Sequence, residues 1–270
     1  MSLPSQPLRV SLVQGNTRWH DAAANRAYYG GLVRGLREPG DLVVLPETFT
    51  SGFTNETLGN AETMQGESLA WLRALAGEVG AVLTGSLVVR EGDACVNRLV
   101  WMRPDGSFDV YDKRHLFRMA GEHTRYAGGT TRLIVELNGW RVCPLVCYDL
   151  RFPVWIRNRY DHAAAGRFDY DLALFVANWP GARRYAWQTL LRARAIENLA
   201  YCVGVNRVGT DGNQLHYSGD SAVLDYLGQP LVELGAQEQT VTVTLDPAGL
   251  AAHRERFPAW MDADAFSLQP

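Results

Sequence analysis

The stretch with the clearest chemical character covers residues 140–153, WRVCPLVCYDLRFP. Its apolar, β-branched run ends at Cys147, and the polar residues that follow lead to Phe152-Pro153, where a helix is expected to begin. A cysteine at such a corner projects from the rim of a sheet, beside free backbone N–H groups of the next element. An isolated free cysteine is usually only a small buried hydrophobe. Cys147 becomes a candidate nucleophile because of the residues that end other predicted strands.

Two other predicted strands also end in polar residues, Glu47 after Leu-Pro and Asn178 before Trp-Pro. In layered α/β folds such strand ends gather at one edge, where sites form. The polar stretch 112–129 is long for a simple connection, which is typical of functional loops, and it contributes Lys113 and Glu122. Lys113 is the only lysine in the sequence, and an ammonium is a compact donor that arginine does not replace. We therefore expect a nucleophile, an acid and a cation in one cleft.

These residue types together indicate acyl transfer through a thioester. A cysteine attacks as its thiolate, and a nearby ammonium or helix N-terminus lowers the thiol pKa. Glu47 can accept the thiol proton, pass it to a leaving amine and then activate water. Lys113 and the backbone N–H of Tyr148 can hold the oxyanion of a tetrahedral intermediate. Glu122 either takes part in this chemistry or only positions Lys113.

Composition excludes several other classes of protein. The formal net charge of −3 provides no broad positive field, so we expect no nucleic-acid partner. Four cysteines in 270 residues do not form a disulfide framework. Cys143 and Cys147 would lie about 13 Å apart along a strand, too far to share one metal ion.

The opening segment and the lack of long apolar runs predict a cytoplasmic protein. The opening MSLPSQP has neither the basic flank nor the apolar centre of a signal peptide. No run of about 18 apolar residues predicts a membrane span, so we expect no membrane partner.

The elements that must position these residues alternate along the chain. Strands are predicted over residues 8–14, 41–45, 81–89, 95–102, 107–111, 132–137, 141–146, 171–177, 201–205, 221–226, 230–234 and 240–245. Helices are predicted over residues 19–37, 68–79, 185–200 and 247–256. Buried strands flanked by helices, with hairpins between them, predict an α/β fold of mixed sheets. We expect two stacked sheets with helices outside, as one domain over residues 1–270; one doubly wound sheet is the alternative.

The chain resembles the nitrilase, or carbon–nitrogen hydrolase, superfamily over nearly its whole length. The resemblance rests on LPETF with Glu47, YDKRHLF with Lys113 and VCYDLRFP with Cys147, and GEHTRY with Glu122 is similar to the family's loop-borne second glutamate. It implies a four-layer α-β-β-α sandwich that pairs into homodimers. It also implies a Glu–Lys–Cys triad at the first three positions, without metal or cofactor.

ANWPGARRYAWQTLLRARAIEN and GVNRVGTDG look closest to the omega-amidase branch. That branch hydrolyses the terminal amide of small keto-acid amides such as 2-oxoglutaramate. The free carboxylate of such a substrate needs a cation, for which the candidates are Arg183, Arg184 and Arg207. Arg151, beside the nucleophile, fits a structural role equally well. Trp179 and Tyr126 are candidate apolar walls, although most such aromatic residues belong to the core.

Three alternatives remain open at this point. The same triad would serve a nitrilase or an N-carbamoyl amidohydrolase. The scaffold would also serve a non-catalytic binding protein. A cysteine–histidine hydrolase would use His115 or His123, both in the loop that holds Lys113, as the base.

Overall fold

The computed structural model describes residues 4–161 and 166–268. Its strands are β1 Leu8–Gln14, β2 Leu42–Val44, β3 Val82–Glu91, β4 Ala94–Met102, β5 Phe108–Asp112, β6 Val135–Leu137, β7 Trp140–Val146, β8 Tyr160–Asp161, β9 Arg167–Phe168, β10 Leu172–Ala177, β11 Tyr201–Asn206, β12 Val208–Thr210, β13 His216–Ser218, β14 Ala222–Leu224, β15 Pro230–Glu233 and β16 Gln239–Leu245. Its α-helices are α1 Ala22–Arg34, α2 Thr57–Asn60, α3 Glu67–Val79, α4 Pro153–Ile156, α5 Arg184–Asn198 and α6 Pro247–Arg256. Turns of 3₁₀ helix cover Arg118–Ala120, Glu122–Thr124, Cys147–Arg151, Gly181–Arg183 and Ala259–Asp262.

The long strands form two six-stranded sheets. The first has the order β16-β1-β2-β3-β4-β5, and the second has the order β15-β14-β11-β10-β7-β6. Both sheets are mixed: β1, β2 and β3 run parallel, as do β7, β10 and β11, while the outer strands are antiparallel. The prediction of an α/β fold with mixed sheets is confirmed, and the single doubly wound sheet is not formed.

Alternating side chains build the four layers. Val10 and Leu12 of β1 join a core that also contains Leu145 of β7, so the two sheets pack face to face. Val13 and Val43 point to the opposite face of the first sheet, where they pack with apolar residues of α1 and α3.

Helix α5 covers the outer face of the second sheet. Its Trp187 and Leu191 belong to the same core as β10 and β11. A Cβ atom at Gly204 of β11 would lie 2.7 Å from both of these side chains, so the close approach of α5 requires glycine there. The order helix, sheet, sheet, helix is the α-β-β-α sandwich that the resemblance implies.

Local signals explain where the observed elements differ from the predicted ones. Helix α1 begins at Ala22, because the Asp21 carboxylate caps it by accepting the N–H of Ala24 at 2.9 Å. The predicted helix over residues 19–37 is too long at both ends, since the observed helix also stops at Arg34, where Gly35 forms the C-cap. The hairpins β8–β9 and β12–β13 and the short helix α2 were not predicted, because elements of two to four residues show no hydrophobic period.

Three strand ends and one loop meet where the site forms. Strands β7 and β10 are parallel neighbours, with Val146 opposite Val176, so they end at the same edge. The turn after β2, in the facing sheet, and the loop after β5 reach the same place through hydrogen bonds described below.

Among the residues described, no helix combines the length and the apolar character that crossing a bilayer requires. Residues 1–3, part of the opening segment discussed above, lie outside the described ranges.

Candidate active site

Glu47 lies in the turn after β2 and is completely buried. Its Oε1 accepts hydrogen bonds from Lys113 Nζ at 3.0 Å and from Asn97 Nδ2 at 2.8 Å. Its Oε2 accepts the backbone N–H of Asn178 at 2.7 Å, and Asn178 Nδ2 donates to the backbone carbonyl of Glu47 at 2.7 Å. Groups from both sheets therefore hold this carboxylate in one orientation.

Lys113 follows β5 directly, and its side chain is 1 % exposed. Besides Glu47, its ammonium donates to both carboxylate oxygens of Glu122, at 2.9 and 3.0 Å. The nitrogen also lies 5.3 Å from the ring centre of Phe53. Burial by itself would lower the pKa of Lys113, but Glu122 and Glu47 outweigh it and hold that pKa well above its usual value. The ammonium therefore stays charged at neutral pH.

Glu122 opens a turn of 3₁₀ helix in the long loop and is fully buried. The backbone N–H of Phe117 also donates to its carboxylate. Burial raises the pKa of Glu122, and the charge of Lys113 opposes that rise. The structure thus aligns carboxylate, ammonium and carboxylate in the order Glu47, Lys113, Glu122, all shielded from water.

Cys147 stands at the corner that the sequence predicts, between β7 and the 3₁₀ turn Cys147–Arg151. Its φ is 44°, in the left-handed region that residues with a Cβ rarely occupy. Its thiol lies within electrostatic reach of the Glu47 carboxylate and the Lys113 ammonium. Burial and the charge of Glu47 raise the pKa of the thiol well above its ordinary value, although Lys113 lowers it. Lys113 thus acts in the direction that the sequence predicts, but burial and the neighbouring carboxylate outweigh it.

A cavity with a volume of about 60 Å³ opens onto Cys147. This volume is several times the roughly 15 Å³ that one water molecule needs. Its lining residues are Phe53, Lys113, Phe117, Ala120, Cys147, Tyr148, Arg151, Asn178, Trp179, Pro180, Arg183, Leu215 and Tyr217. This size suits a small molecule. The lining is mostly apolar, with the ammonium at one side and two guanidinium groups at the rim.

The two arginines at the rim stack on aromatic rings. The Arg151 guanidinium lies 4.9 Å from the ring centre of Trp179, and that of Arg183 lies 5.1 Å from the ring centre of Phe117. Neither forms an ion pair with a carboxylate in the described parts of the chain. Their positive charge is therefore available to a ligand in the cavity.

Three of the residues considered for substrate binding lie outside this cavity. Arg207 is fully buried, donates to the backbone carbonyl of Thr17 at 2.8 Å and does not line the cavity. Arg184 pairs with Asp220 at 2.7 Å, and the Tyr126 hydroxyl donates to a backbone carbonyl. These interactions occupy the polar groups of Arg184 and Tyr126, whereas Arg207 keeps one buried nitrogen, Nη1, without a hydrogen-bond partner among the described residues.

Neither histidine of the loop lines the cavity. The Nδ1 of His115 lies 2.7 Å from the Asp149 carboxylate, and the ring stacks on Phe152 with centroids 3.7 Å apart. His123 is exposed. This geometry disfavours a cysteine–histidine mechanism.

Several residues of the site were not predicted from the sequence. Asn97 lies in the middle of β4, and its only signal was a polar residue inside the apolar run CVNRLVWM. Phe53, Phe117 and Tyr217 line the cavity from loops and from the unpredicted hairpin β12–β13. Such residues carry no periodic pattern, so only their packing identifies them.

Comparisons with known proteins agree with this geometry. The carbon-nitrogen hydrolase family model matches residues 9–255. The chain is 46 % identical over 262 residues to the omega-amidase YafV of Escherichia coli K12, covering 97 % of this chain and 98 % of that protein. It is 32 % identical over 225 residues to a 2-oxoglutaramate amidase of Bacillus subtilis, covering 82 % of this chain and 84 % of that one.

A solved structure extends the likeness to the whole fold. XC1258 from Xanthomonas campestris, a CN-hydrolase superfamily protein with an arsenic adduct in its active site, superposes with a TM-score of 0.96 at 61 % identity. The match covers 98 % of this chain and 100 % of that one. The resemblance to the nitrilase superfamily, closest to its omega-amidase branch, is confirmed. The chain therefore belongs to the carbon–nitrogen hydrolase family and is an enzyme of that class.

Proposed function

We propose that this enzyme hydrolyses the terminal amide of a small dicarboxylic or keto-dicarboxylic acid monoamide, such as 2-oxoglutaramate, and releases ammonia through a thioester on Cys147. The observation that carries the proposal is the buried array Glu47–Lys113–Glu122 beside Cys147, in a cavity with unpaired arginines at its rim. The names of the omega-amidase and 2-oxoglutaramate amidase relatives support the substrate class.

In the first half of the reaction the cysteine replaces the amide nitrogen. Because the pKa of Cys147 is raised, the thiol is neutral in the free enzyme and must lose its proton as sulfur attacks the amide carbon. Glu47, the carboxylate that acts on this thiol, accepts that proton and delivers it to the departing nitrogen. The C–S bond forms, the C–N bond breaks, and ammonia leaves.

In the second half, water replaces the sulfur. Glu47 takes a proton from a water molecule, whose oxygen attacks the thioester carbon, and the C–S bond breaks. The thiolate recovers the proton from Glu47, and the carboxylic acid product leaves. This cycle returns Cys147 and Glu47 to their initial protonation states.

The negative oxygen of each tetrahedral intermediate requires donors already in place. Lys113 carries three N–H groups, which in the free enzyme face Glu47 Oε1 and both oxygens of Glu122; one N–H turns to the oxyanion when a single N–H serves both oxygens of Glu122. The backbone N–H of Tyr148, which lines the cavity, is the second donor that we assign. Loss of one such donor costs about 3 kcal/mol of transition-state stabilisation. We assign Glu122 the role of holding Lys113, because both of its oxygens contact the ammonium and the backbone N–H of Phe117 fixes the same carboxylate.

The substrate carboxylate is assigned to the two arginines at the rim. Arg183 and Arg151 line the cavity, and a guanidinium–carboxylate pair is a strong, charge-assisted interaction. Trp179, 4 % exposed, forms the apolar wall for the short carbon chain between amide and carboxylate. Arg183 was a candidate from the sequence, while Arg151 gains its role from its place in the cavity.

We also propose that the enzyme works in the cytoplasm as a homodimer. The outer side of α5 forms a shallow groove in which Tyr185 is 82 % and Ile196 is 52 % exposed, as expected for an interface between copies. The four cysteines are free thiols, which fits a reducing compartment. Sedimentation equilibrium at micromolar concentration should give twice the 30.0 kDa of one chain, and a monomer mass would contradict the dimer.

Replacing the nucleophile should abolish the reaction. Cys147→Ala is expected to lower ammonia release from 2-oxoglutaramate below detection, while circular dichroism shows an unchanged fold. Mass spectrometry of the intact wild-type protein, quenched during turnover, should show the acyl mass on the peptide with Cys147. Cys95→Ala, a buried cysteine away from the cavity, is the control. Undiminished turnover by the Cys147 variant would disprove the mechanism.

Removing the charge of Glu47 should separate the two roles of its carboxylate. That charge raises the pKa of Cys147, so Glu47→Gln should lower this pKa and shift iodoacetamide labelling of Cys147 to lower pH. The same variant lacks the base, so its single-turnover acylation rate should fall about 10³-fold. Glu62→Gln, which changes a partly buried acid outside the cavity, should alter neither quantity. A labelling profile that stays in place or moves to higher pH would contradict this assignment.

The rim arginines should matter only for substrates with a free carboxylate. Arg183→Gln and Arg151→Gln are each expected to raise KM for 2-oxoglutaramate about tenfold, because a charge-assisted pair contributes about 1.5 kcal/mol or more. In these two variants KM for an uncharged short amide should stay within twofold of the wild-type value. The control is Arg184→Gln, because Arg184 pairs with a carboxylate outside the cavity; its KM values for 2-oxoglutaramate and for the uncharged amide should both stay within twofold. Equal losses on both substrates would refute the carboxylate assignment.

Preferred turnover of matched nitriles or N-carbamoyl compounds would refute the omega-amidase function.

A further inference from the structure

One buried carboxylate connects the two segments that carry Lys113 and Cys147. Asp149 is 0 % exposed and lies two residues after Cys147. Its partners are Tyr111 and His115, which stand two residues to either side of Lys113, and Val146, which precedes Cys147. We propose that Asp149 is a positioning residue that fixes the distance between ammonium and thiol.

The contacts are all within hydrogen-bonding distance. Oδ2 of Asp149 accepts from the Tyr111 hydroxyl at 2.8 Å and from the backbone N–H of Val146 at 3.1 Å. Oδ1 accepts from the backbone N–H of His115 at 3.0 Å and contacts the Nδ1 of the same residue at 2.7 Å. A single side chain thus holds Lys113 from both sides and the strand end that presents Cys147.

A carboxylate suits this place because it accepts hydrogen bonds on both oxygens. An asparagine would present an NH₂ group to one pair of donors, and at least one backbone N–H would then face another donor. In a site without water such an unsatisfied group is costly, so the two segments would move apart. Burial and the charge of Asp149 raise the pKa of Tyr111 well above its usual value, so the hydroxyl keeps the proton that it donates.

The corner at Cys147 needs such support because its backbone is strained. A left-handed φ of 44° at a residue with a Cβ persists only where the surroundings hold it. Arg194 adds a second hold, since its guanidinium donates to the carbonyl of Leu150 at 3.0 and 2.6 Å. The segment is therefore clamped on one side by α5 and on the other by Asp149.

Precise placement matters for acyl transfer, and here the inference rests on the proposed function. A misplacement of about 1 Å between reacting groups can cost about 100-fold in rate. Loss of the Asp149 clamp should therefore lower the rate of acylation more than the affinity for substrate.

The test compares Asp149→Asn with Asp171→Asn. Asp171 is also buried, accepts the backbone N–H of Arg141 at 3.1 Å and pairs with Arg254 at 2.6 Å, but it does not line the cavity. Asp149→Asn should lower kcat about 100-fold with KM within threefold, whereas Asp171→Asn should lower the melting temperature and leave kcat of the folded protein within a few fold.

A second readout needs no substrate. Lys113 lowers the pKa of Cys147, so its displacement in Asp149→Asn should move iodoacetamide labelling of Cys147 to higher pH, the opposite of the shift expected for Glu47→Gln. His115→Ala removes the ring but keeps the backbone N–H, so its acylation rate should stay within a few fold and its labelling profile should not move.

If Asp149→Asn does not fold, Tyr111→Phe tests whether the hydrogen bonds of Asp149 position Lys113 relative to Cys147. It removes only the hydroxyl donor and should lower kcat several-fold, with a smaller labelling shift in the same direction. The inference is overturned if the Asp149 and Tyr111 variants keep the wild-type labelling profile and kcat. Absence of amidase activity in the wild-type enzyme would instead refute the proposed function, and the labelling comparison would still test the clamp.

Discussion

The structure depends on a charged lysine buried between two carboxylates. Moving an ammonium out of water costs several kcal/mol, and only close, well-oriented partners compensate for it. Lys113 has such partners in Glu47 and Glu122, and the formal charge of the three together is −1. Each of the three stabilises the others, since removal of one partner from a buried pair typically costs about 3–5 kcal/mol.

The net negative charge of these three residues determines whether the Cys147 thiol is protonated before the substrate arrives. A thiol beside a lone cation or a helix N-terminus exists as a thiolate before substrate arrives. Cys147 instead faces a buried carboxylate as well as the ammonium, and its proton stays on sulfur. The proton therefore has to move during the attack, which gives Glu47 its role as base in the mechanism proposed above. A neutral thiol in the resting state is also less open to oxidation, because oxidants act on the thiolate.

The fold supplies this cluster with parts from all over the chain. Glu47 comes from the first sheet, Cys147 and Asn178 from adjacent strands of the second, and Lys113 and Glu122 from one long loop. Because the two sheets pack face to face, the end of β2 meets the ends of β7 and β10. The rigid sheets fix the strand-borne groups, whereas the loop needs the buried contacts of Glu122 and Asp149 to keep Lys113 in place.

Local patterns in the sequence were enough to predict the strand ends, the α/β class and the candidates Glu47, Lys113 and Cys147. A buried run that stops at a reactive residue is visible within about ten positions, and a single lysine among arginines stands out without any structure. Tertiary structure alone decided which arginine reaches the cavity, since Arg207 and Arg151 look alike in sequence but point to a buried carbonyl and to the rim. It also decided that the thiol stays protonated, because a pKa depends on burial and on charges brought together from distant parts of the chain.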